Sequence, residues 1–199
     1  MPKDTFFHLN QEKKDRIISA AKKEFSTHLL HKSRVSNIIE DAKIPRGSFY
    51  QYFDDLEDLF YYIIDLSFEE LYKEGRQIAS ETSDLFVFLE RTFVVDYKGY
   101  FVTKDHLILM NLMQNANFSK YHLNSHMENQ KKYICDVLAV LDFSKYRPLS
   151  DAEKIRLYEL LQSIKRHVIH VCRHKNLSLH EALIELRWQL DIFERGITL

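Results

Sequence analysis

The sequence predicts an all-α protein, and three observations support this fold class. Only four glycines and three prolines occur among 199 residues, so few positions interrupt a helix. Apolar residues recur three and four positions apart along most of the chain, which is the spacing of one helix face. Three S-x-x-E segments have the form of a capping box, in which a helix begins directly after the serine. We expect about nine helices and no strand.

Composition limits the class of protein before any motif is considered. A chain of this length suits one or two domains with a substantial core. Cys135 and Cys172 are too few and too far apart for a disulfide framework. The first residues, MPKDTFFHLNQEKK, lack the apolar core of a signal peptide, and no apolar run reaches the ~18 residues of a membrane span. We therefore expect a soluble protein of the cytoplasm.

The first three helices are predicted from apolar spacing and from one proline. Residues 11–30 carry an apolar face, and Asn10 is a plausible N-cap. A short helix follows around 35–42. Pro45 stops that helix and suits the first turn of the next, which we place at 45–52. Two short helices joined by so tight a turn form a helix-turn-helix unit.

The stretch RGSFYQYF places four aromatic rings within five positions. Phe49 and Phe53 are four residues apart, so they share a helix face and are expected in the core. Tyr50, Gln51 and Tyr52 are then expected to point outward, as a compact hydrogen-bonding surface near a helix start.

Charge is unevenly distributed between the two ends of the chain. Residues 1–53 carry ten Lys or Arg and six Asp or Glu, a net +4, whereas the whole chain has a net charge of −1. A basic amino-terminal end suits a protein that uses this end on a polyanion, although chance variation in composition gives the same pattern.

The remaining helices are predicted at 55–79, 83–98, 104–114, 126–141, 151–174 and 179–195. Ser83 and Thr103 are possible N-caps of the second and third of these. The capping boxes of the last three are Ser125 with Glu128, Ser150 with Glu153, and Ser178 with Glu181. Gly196 is placed where a C-terminal cap glycine is expected.

The last two helices share an unusual apolar pattern. Spacings of 4, 3, 4 and 3 repeat along both, as in a coiled coil or a four-helix bundle. Other apolar residues on both helices would let one face pack on the chain's own core while another meets a second copy. We therefore expect a homodimer, with an internal hairpin as the alternative. The expected interface residues are Leu157, Leu161, Ile164, Val168, Val171, Leu183, Leu186, Leu190 and Phe193.

The segments RIISAAKKEF and VSNIIEDAKIPRGSFYQYFDDLEDLF carry a family resemblance. Together they resemble the DNA-binding domain of the TetR/AcrR family of bacterial transcriptional regulators over about residues 13–60. The family pattern is an apolar helix, a T-V-x-x-I-A-x-x-A-G-V-S-x-G-T-L-Y-x-H/Y-F run and an acidic K-E-x-L tail. Direct matches are Val35, Ile38, Ala42, Ile44, Gly47, Tyr50, Tyr52, Phe53, Glu57 and Leu59.

Three positions depart from the family pattern. Lys43 replaces the usual turn glycine, so the turn must form without a residue specialised for positive φ. Pro45 replaces a capping serine, and Leu56 replaces a lysine that often contacts phosphate.

The resemblance implies a homodimer that places two recognition helices in successive major grooves of a palindromic operator. Arg46 and Ser48 can reach phosphate or a base edge, and Gly47 permits close backbone approach. By resemblance Tyr50 contacts phosphate, whereas Gln51 and Tyr52 read bases. Lys32 and Ser36 add phosphate contacts from the preceding helix. The expected DNA-binding residues are Lys32, Ser36, Arg46, Gly47, Ser48, Tyr50, Gln51 and Tyr52.

The resemblance also implies a two-domain organisation, with a DNA-binding domain at 1–54 and an effector-binding and dimerisation domain at 55–199. The expected function is a repressor released from its operator by a small, hydrophobic effector, without a cofactor. Residues expected to line the effector pocket are Phe93, Tyr97, Phe101, Met110, Met113, Phe118 and Tyr133.

The sequence leaves two alternative kinds of regulator open and disfavours one other class of protein. His167, His170 and His174 lie on one helical stripe and are candidates for metal or haem sensing. A DNA-binding protein without a small effector is the second alternative. An enzyme is disfavoured because the sequence has no phosphate-binding glycine loop, no G-x-S-x-G and no H-E-x-x-H.

Overall fold

A computed structural model describes the backbone of residues 2–103 and 120–198 and the side chains of residues 2–103 and 127–198. Within these ranges the chain has nine α-helices, and its β-structure is one isolated bridge between Tyr146 and Thr198. The predicted all-α fold is therefore confirmed. The helices are α1 Asp4–Phe7, α2 Gln11–Thr27, α3 Val35–Asp41, α4 Arg46–Tyr52, α5 Leu56–Glu81, α6 Leu85–Phe101, α7 Lys120–Leu138, α8 Asp151–Lys175 and α9 Leu179–Ile197.

The described residues form two compact units. Residues 2–70, with 103 and 120–126, make up the first, and residues 71–102 with 127–198 make up the second. The helix α5 contributes residues to both units, so the domain boundary expected at 54/55 stays a prediction. In the part of the chain that the structure covers, no helix is long and apolar enough to cross a membrane.

Three predicted N-terminal caps are confirmed. The Asn10 side chain accepts a hydrogen bond from the Lys13 N–H at 2.9 Å and begins α2. Ser150 opens α8 and Ser178 opens α9, and each forms a complete capping box with the glutamate three residues later. Such boxes satisfy backbone N–H groups that have no partner in the first helical turn.

Other predicted helix ends are wrong because local patterns did not identify the group that caps each end. Asp84, rather than Ser83, caps α6, and its carboxylate accepts from two backbone N–H groups. The helix α7 already begins at Lys120, so Ser125 lies inside it. Gly196 lies inside α9, without the positive φ of a cap glycine. The helix α1 was not predicted, and the helix expected at 104–114 lies outside the described residues.

The second unit buries an apolar core between α6, α7, α8 and α9. This core corrects the expected dimer interface. Leu161, Ile164, Val168, Leu186 and Leu190 are buried in the chain's own core, so the prediction that they meet a second chain is wrong for these five. A 4-3 repeat defines an apolar stripe on a helix, but it does not say whether the stripe packs inside the chain or against another copy.

The other four predicted interface residues are half-buried. Leu157, Leu183 and Phe193 pack against the same core, and Val171 is also partly exposed. The 4-3 pattern therefore belongs mainly to the internal hairpin that the sequence analysis kept as its alternative.

Candidate nucleic-acid interface

A buried carboxylate joins α2 to the start of α3. Glu24 of α2 accepts a hydrogen bond from the Arg34 backbone N–H at 2.8 Å. It also accepts from the Asn37 amide at 3.1 and 3.2 Å. Both donors lie at the first turn of α3, where backbone N–H groups need partners. Glu24 therefore fixes the orientation of α3, a role that the sequence analysis missed.

The turn between α3 and α4 forms without glycine. Lys43 adopts a left-handed conformation with φ of 54° directly after the C-cap residue Ala42. Its N–H bonds to the Glu40 carbonyl at 3.1 Å, and the Ile44 N–H bonds to the Ile39 carbonyl at 3.0 Å. These two bonds form a Schellman motif, which usually has glycine at the left-handed position.

The inward face of α4 is confirmed for two of its rings. Phe49 and Phe53 are fully buried, with ring centroids 5.5 Å apart. The prediction that Tyr52 points outward is wrong. Tyr52 is only 5% exposed. It lies three residues after Phe49 and therefore shares its face, and α1 covers that face with the Phe6 ring at 6.3 Å.

The outward face of α4 consists of four exposed residues, two in its first turn and two in its last. Arg46, Gly47, Tyr50 and Gln51 are exposed, and Tyr50 keeps 44% of its surface accessible. Helical spacing places Gly47, Tyr50 and Gln51 on one face. A Cβ atom at Gly47 would meet no described atom within 4 Å, so this glycine is not required for packing inside the chain.

Three other residues were expected to contact DNA. Ser48, on α4, is half-buried, and its N–H bonds to the Pro45 carbonyl at 3.0 Å. Lys32 and Ser36 are exposed, at the 3-10 turn Leu30–Lys32 and in the first turn of α3. Each of these side chains is at least partly accessible to a ligand from solvent.

A cleft of about 510 Å³ lies beside Lys32. Its lining includes the basic or titratable side chains of His31, Lys32 and Arg34, and the side chain of His28. Within this segment only Lys32 was predicted to contact phosphate, although LHKSR places a cluster of basic residues between two helices.

The residues expected to line an effector pocket are divided between the core and its edge. Phe93 is fully buried, whereas Tyr97 and Phe101 are half-buried, with ring centroids 4.8 Å apart. Tyr133 is buried and stacks on Tyr72 at 4.5 Å. Met110, Met113 and Phe118 lie outside the described residues.

A buried cation lies in the same unit and was not predicted. Lys165 is 3% exposed, and its Nζ lies 2.9 Å from the Asp96 carboxylate and 2.8 Å from the Thr92 hydroxyl.

Two tyrosines of the second unit have raised pKa values. Burial, and then the nearby Asp96 charge, raises the pKa of Tyr100 to about 12. Burial likewise raises the pKa of Tyr158. These tyrosines are therefore neutral hydrogen-bonding groups at physiological pH.

The three histidines of α8 are all exposed. His170 and His174 place their ring centroids 4.4 Å apart. Among the side chains that the structure describes, no group of three or more His, Cys, Asp or Glu residues is arranged to hold a metal ion.

One apolar face in the second unit is left uncovered. Ile184, Trp188 and Ile192 repeat every four residues along α9 and are exposed, Trp188 by 63%. Leu160 on α8 is exposed as well. The three α9 residues, which we call the α9 apolar face, lie on another side of that helix than its buried leucines.

Comparison with known proteins shows similarity to one family in the helix-turn-helix segment. The family model of the bacterial regulatory proteins of the tetR family matches residues 17–63, which include α3 and α4. The activator DhaS of the dhaKLM operon, from Lactococcus lactis subsp. lactis (strain IL1403), is 27% identical over 146 residues, covering 65% of this chain and 76% of DhaS.

Solved structures share the whole fold at low identity. A TetR-family regulator from Mesorhizobium loti MAFF303099 has a TM-score of 0.75 at 12% identity, covering 96% of this chain and 100% of that one. SmeT, the repressor of the Stenotrophomonas maltophilia multidrug efflux pump SmeDEF, has a TM-score of 0.66 at 14% identity, covering 98% and 93%. The helix-turn-helix segment of this chain is therefore similar to that of the tetR family of bacterial regulatory proteins, and its all-helical fold is the fold of TetR-family structures.

Proposed function

We propose that the chain binds a palindromic operator as a homodimer, through α4, and that a small effector controls this binding. The observation that carries the proposal is the exposed set of Arg46, Gly47, Tyr50 and Gln51 on a helix whose opposite face is buried. A B-DNA major groove is about 12 Å wide and admits one α-helix. A helix fixed on one side and polar on the other suits that groove.

Each exposed residue has a role that its chemistry supports. Gln51 can form paired hydrogen bonds with adenine N6 and N7, which makes it the base-reading residue of the proposal. Arg46, Ser48 and Tyr50 contact phosphate or a base edge, and Lys32 and Ser36 contact phosphate. The basic cleft beside Lys32 supports further phosphate contacts. Tyr52 has no base-reading role in this proposal because it is buried.

Substitution of Gln51 tests the base-reading role. Operator sequences are first selected from a random duplex pool with the wild-type protein. We expect Gln51→Ala to lose about 1–3 kcal/mol on the operator and to relax the preference at one base pair, at fixed salt. Gln77→Ala, at another exposed glutamine, is the control and is expected to bind as the wild type does. Equal weakening on operator and random DNA would contradict base reading by Gln51.

The α9 apolar face supports the homodimer. Large apolar side chains at three positions of one helix face are unusual on a monomer surface and typical of an interface. A two-fold dimer matches half-sites about 34–36 Å apart on DNA. We expect Trp188→Glu to give a monomer in sedimentation velocity. Val87→Glu, at an exposed apolar residue of α6, is the control, and a dimer that survives Trp188→Glu would refute this interface.

The effector is proposed to bind within the second unit and to be small and largely apolar. Phe93, Tyr97, Phe101 and Tyr133 offer rings, and the Lys165–Asp96 pair offers one polar anchor. Titration of candidate ligands against the operator complex tests this part. A complex that no ligand releases, and that instead responds to a protein partner, would favour the regulator without a small effector.

Repression is the sign of regulation that we propose, as the resemblance implies. The relatives carry both signs, since DhaS is an activator and SmeT is a repressor. A reporter gene downstream of the selected operator decides the question. Higher expression on loss of the protein supports repression, and lower expression would show activation.

A further inference from the structure

The segment that contains α1 lies on the C-terminal end of α4. The Lys3 backbone N–H donates to the Tyr52 carbonyl at 2.8 Å, and the Lys3 Nζ donates to the Tyr50 carbonyl at 2.9 Å. The Thr5 hydroxyl donates to the Gln51 carbonyl. Three consecutive carbonyls at the end of α4 therefore accept from one short segment. The last carbonyls of a helix have no partner inside the helix and need such donors.

This segment is itself held in place by apolar and polar contacts. Phe6 is fully buried, and its ring centroid lies 5.0 Å from that of Phe53 and 5.3 Å from that of Tyr62. The Lys14 Nζ donates to the Phe7 carbonyl at 2.6 Å. The donors at Lys3 and Thr5 are thus part of a fixed cap, since the Phe6 ring directly after Thr5 is anchored in the core of the unit.

The short length of α4 makes this cap important. The helix has only seven residues, and isolated helices below ~12–15 residues are marginal in water. Its N-cap is Pro45, which has no side-chain acceptor for the first N–H groups. Packing of Phe49 orders one face, but Tyr50 and Gln51 on the other face depend on how well the last turn holds its shape.

We propose that residues 3–7 act as a positioning clamp for the recognition helix, in which Lys3 and Thr5 hold the backbone of Tyr50 and Gln51 in the orientation needed to read bases. The proposal rests on the proposed function, because it assigns a role within operator recognition. Lys3 and Thr5 act through α4 and do not touch DNA in this scheme.

The charge of Lys3 has a second partner, which argues against a free phosphate contact. Its Nζ lies 2.8 Å from the Asp54 carboxylate, and this hydrogen bond holds the pKa of Asp54 below its usual value. A lysine already bonded to a carboxylate and a helix carbonyl is arranged to order the protein. Lys32, by contrast, is exposed and lines the basic cleft.

The double variant Lys3→Met with Thr5→Val tests the clamp. It removes both side-chain donors, nearly keeps the shape of the side chains and leaves Phe6 in the core. We expect operator affinity to fall about tenfold, from two hydrogen bonds of ordinary strength, while affinity for random DNA is unchanged. We also expect faster hydrogen exchange at the Phe53 amide, which closes the last turn of α4. Lys73→Met, at an exposed lysine of α5, is the control and is expected to bind as the wild type does.

Two results would overturn the clamp. The first is unchanged operator affinity in the double variant. The second is equal loss on operator and random DNA with a smaller dependence on salt, which would show a direct phosphate contact. Failure of the proposed function is distinguishable, because the wild-type protein itself would then select no duplex from the random pool. Thr5→Val alone, which changes no charge, is expected to lower operator affinity in the same direction.

Discussion

Replacement of Gly47 by alanine should change stability and DNA binding in opposite directions. An added Cβ meets no described atom within 4 Å, and Gly47 lies in the second position of α4 with an ordinary negative φ. Glycine in a helix is less stable than alanine by roughly 0.5–1 kcal/mol, because its backbone loses more freedom on folding. We therefore expect Gly47→Ala to raise the free energy of unfolding by up to about 1 kcal/mol.

DNA binding should weaken because the methyl group would occupy the space through which the backbone approaches a phosphate. Loss of one hydrogen bond to a charged group costs about 1.5–3 kcal/mol, so affinity should fall about tenfold or more. Phosphate contacts do not read sequence, and the loss should be similar on operator and random DNA.

The assay compares urea unfolding with fluorescence anisotropy of labelled duplexes, for three proteins. Gly196→Ala is the matched control, because Gly196 is also helical and its added Cβ also meets no described atom within 4 Å. It should gain similar stability without loss of DNA binding. Unchanged affinity in Gly47→Ala, or equal loss in Gly196→Ala, would refute a close approach of Gly47 to DNA.

Three further predictions concern stability. Lys43→Gly should raise the free energy of unfolding by about 0.5–1 kcal/mol in urea, because glycine avoids the cost of the left-handed conformation; no gain would argue against strain at this turn. Gly75→Ala should cost about 1–3 kcal/mol in the same assay, because its Cβ would lie 2.0 Å from the Tyr133 hydroxyl oxygen, and neutrality would show that the ring can move aside. Burial opposes the low pKa of the Asp84 carboxyl, but hydrogen bonds from Lys145 and two backbone N–H groups outweigh it. The folded-state pKa of Asp84 lies below the unfolded value of about 4. The stabilisation is therefore fully present above about pH 4 and is lost as pH falls through the folded-state pKa. Asp84→Ala should therefore cost about 1 kcal/mol at pH 7 and less at pH 3, and a cost independent of pH would contradict the role of the charge.

The predicted interface residues show which inferences local patterns support. Arg46, Gly47, Tyr50 and Gln51 were expected to contact DNA, and the structure places all four at the surface. Their exposure follows from helix periodicity, which depends only on neighbours along the chain. Tyr52 was assigned to the wrong face because α1, whose four residues give too short a pattern to predict, covers it.

The buried polar contacts could not have been found from spacing. Glu24 meets Arg34 and Asn37 across a loop, and Lys165 meets Asp96 from a different helix, 69 positions away in the sequence. Charged residues are normally exposed, so a sequence pattern assigns them to the surface by default. Only the approach of two helices shows which of them are buried and paired.

The sequence by itself determined the helical class, the caps at Asn10, Ser150 and Ser178, and the helix-turn-helix with its exposed residues. Each of these depends on interactions within about four positions of the chain, where periodicity and capping chemistry act. The tertiary structure decided which neighbour each apolar stripe meets. Leu161, Val168 and Leu186 are buried in the fold, whereas Trp188 is exposed. An apolar stripe is buried only where another helix lies beside it, and the position of that helix depends on contacts between residues far apart in the sequence.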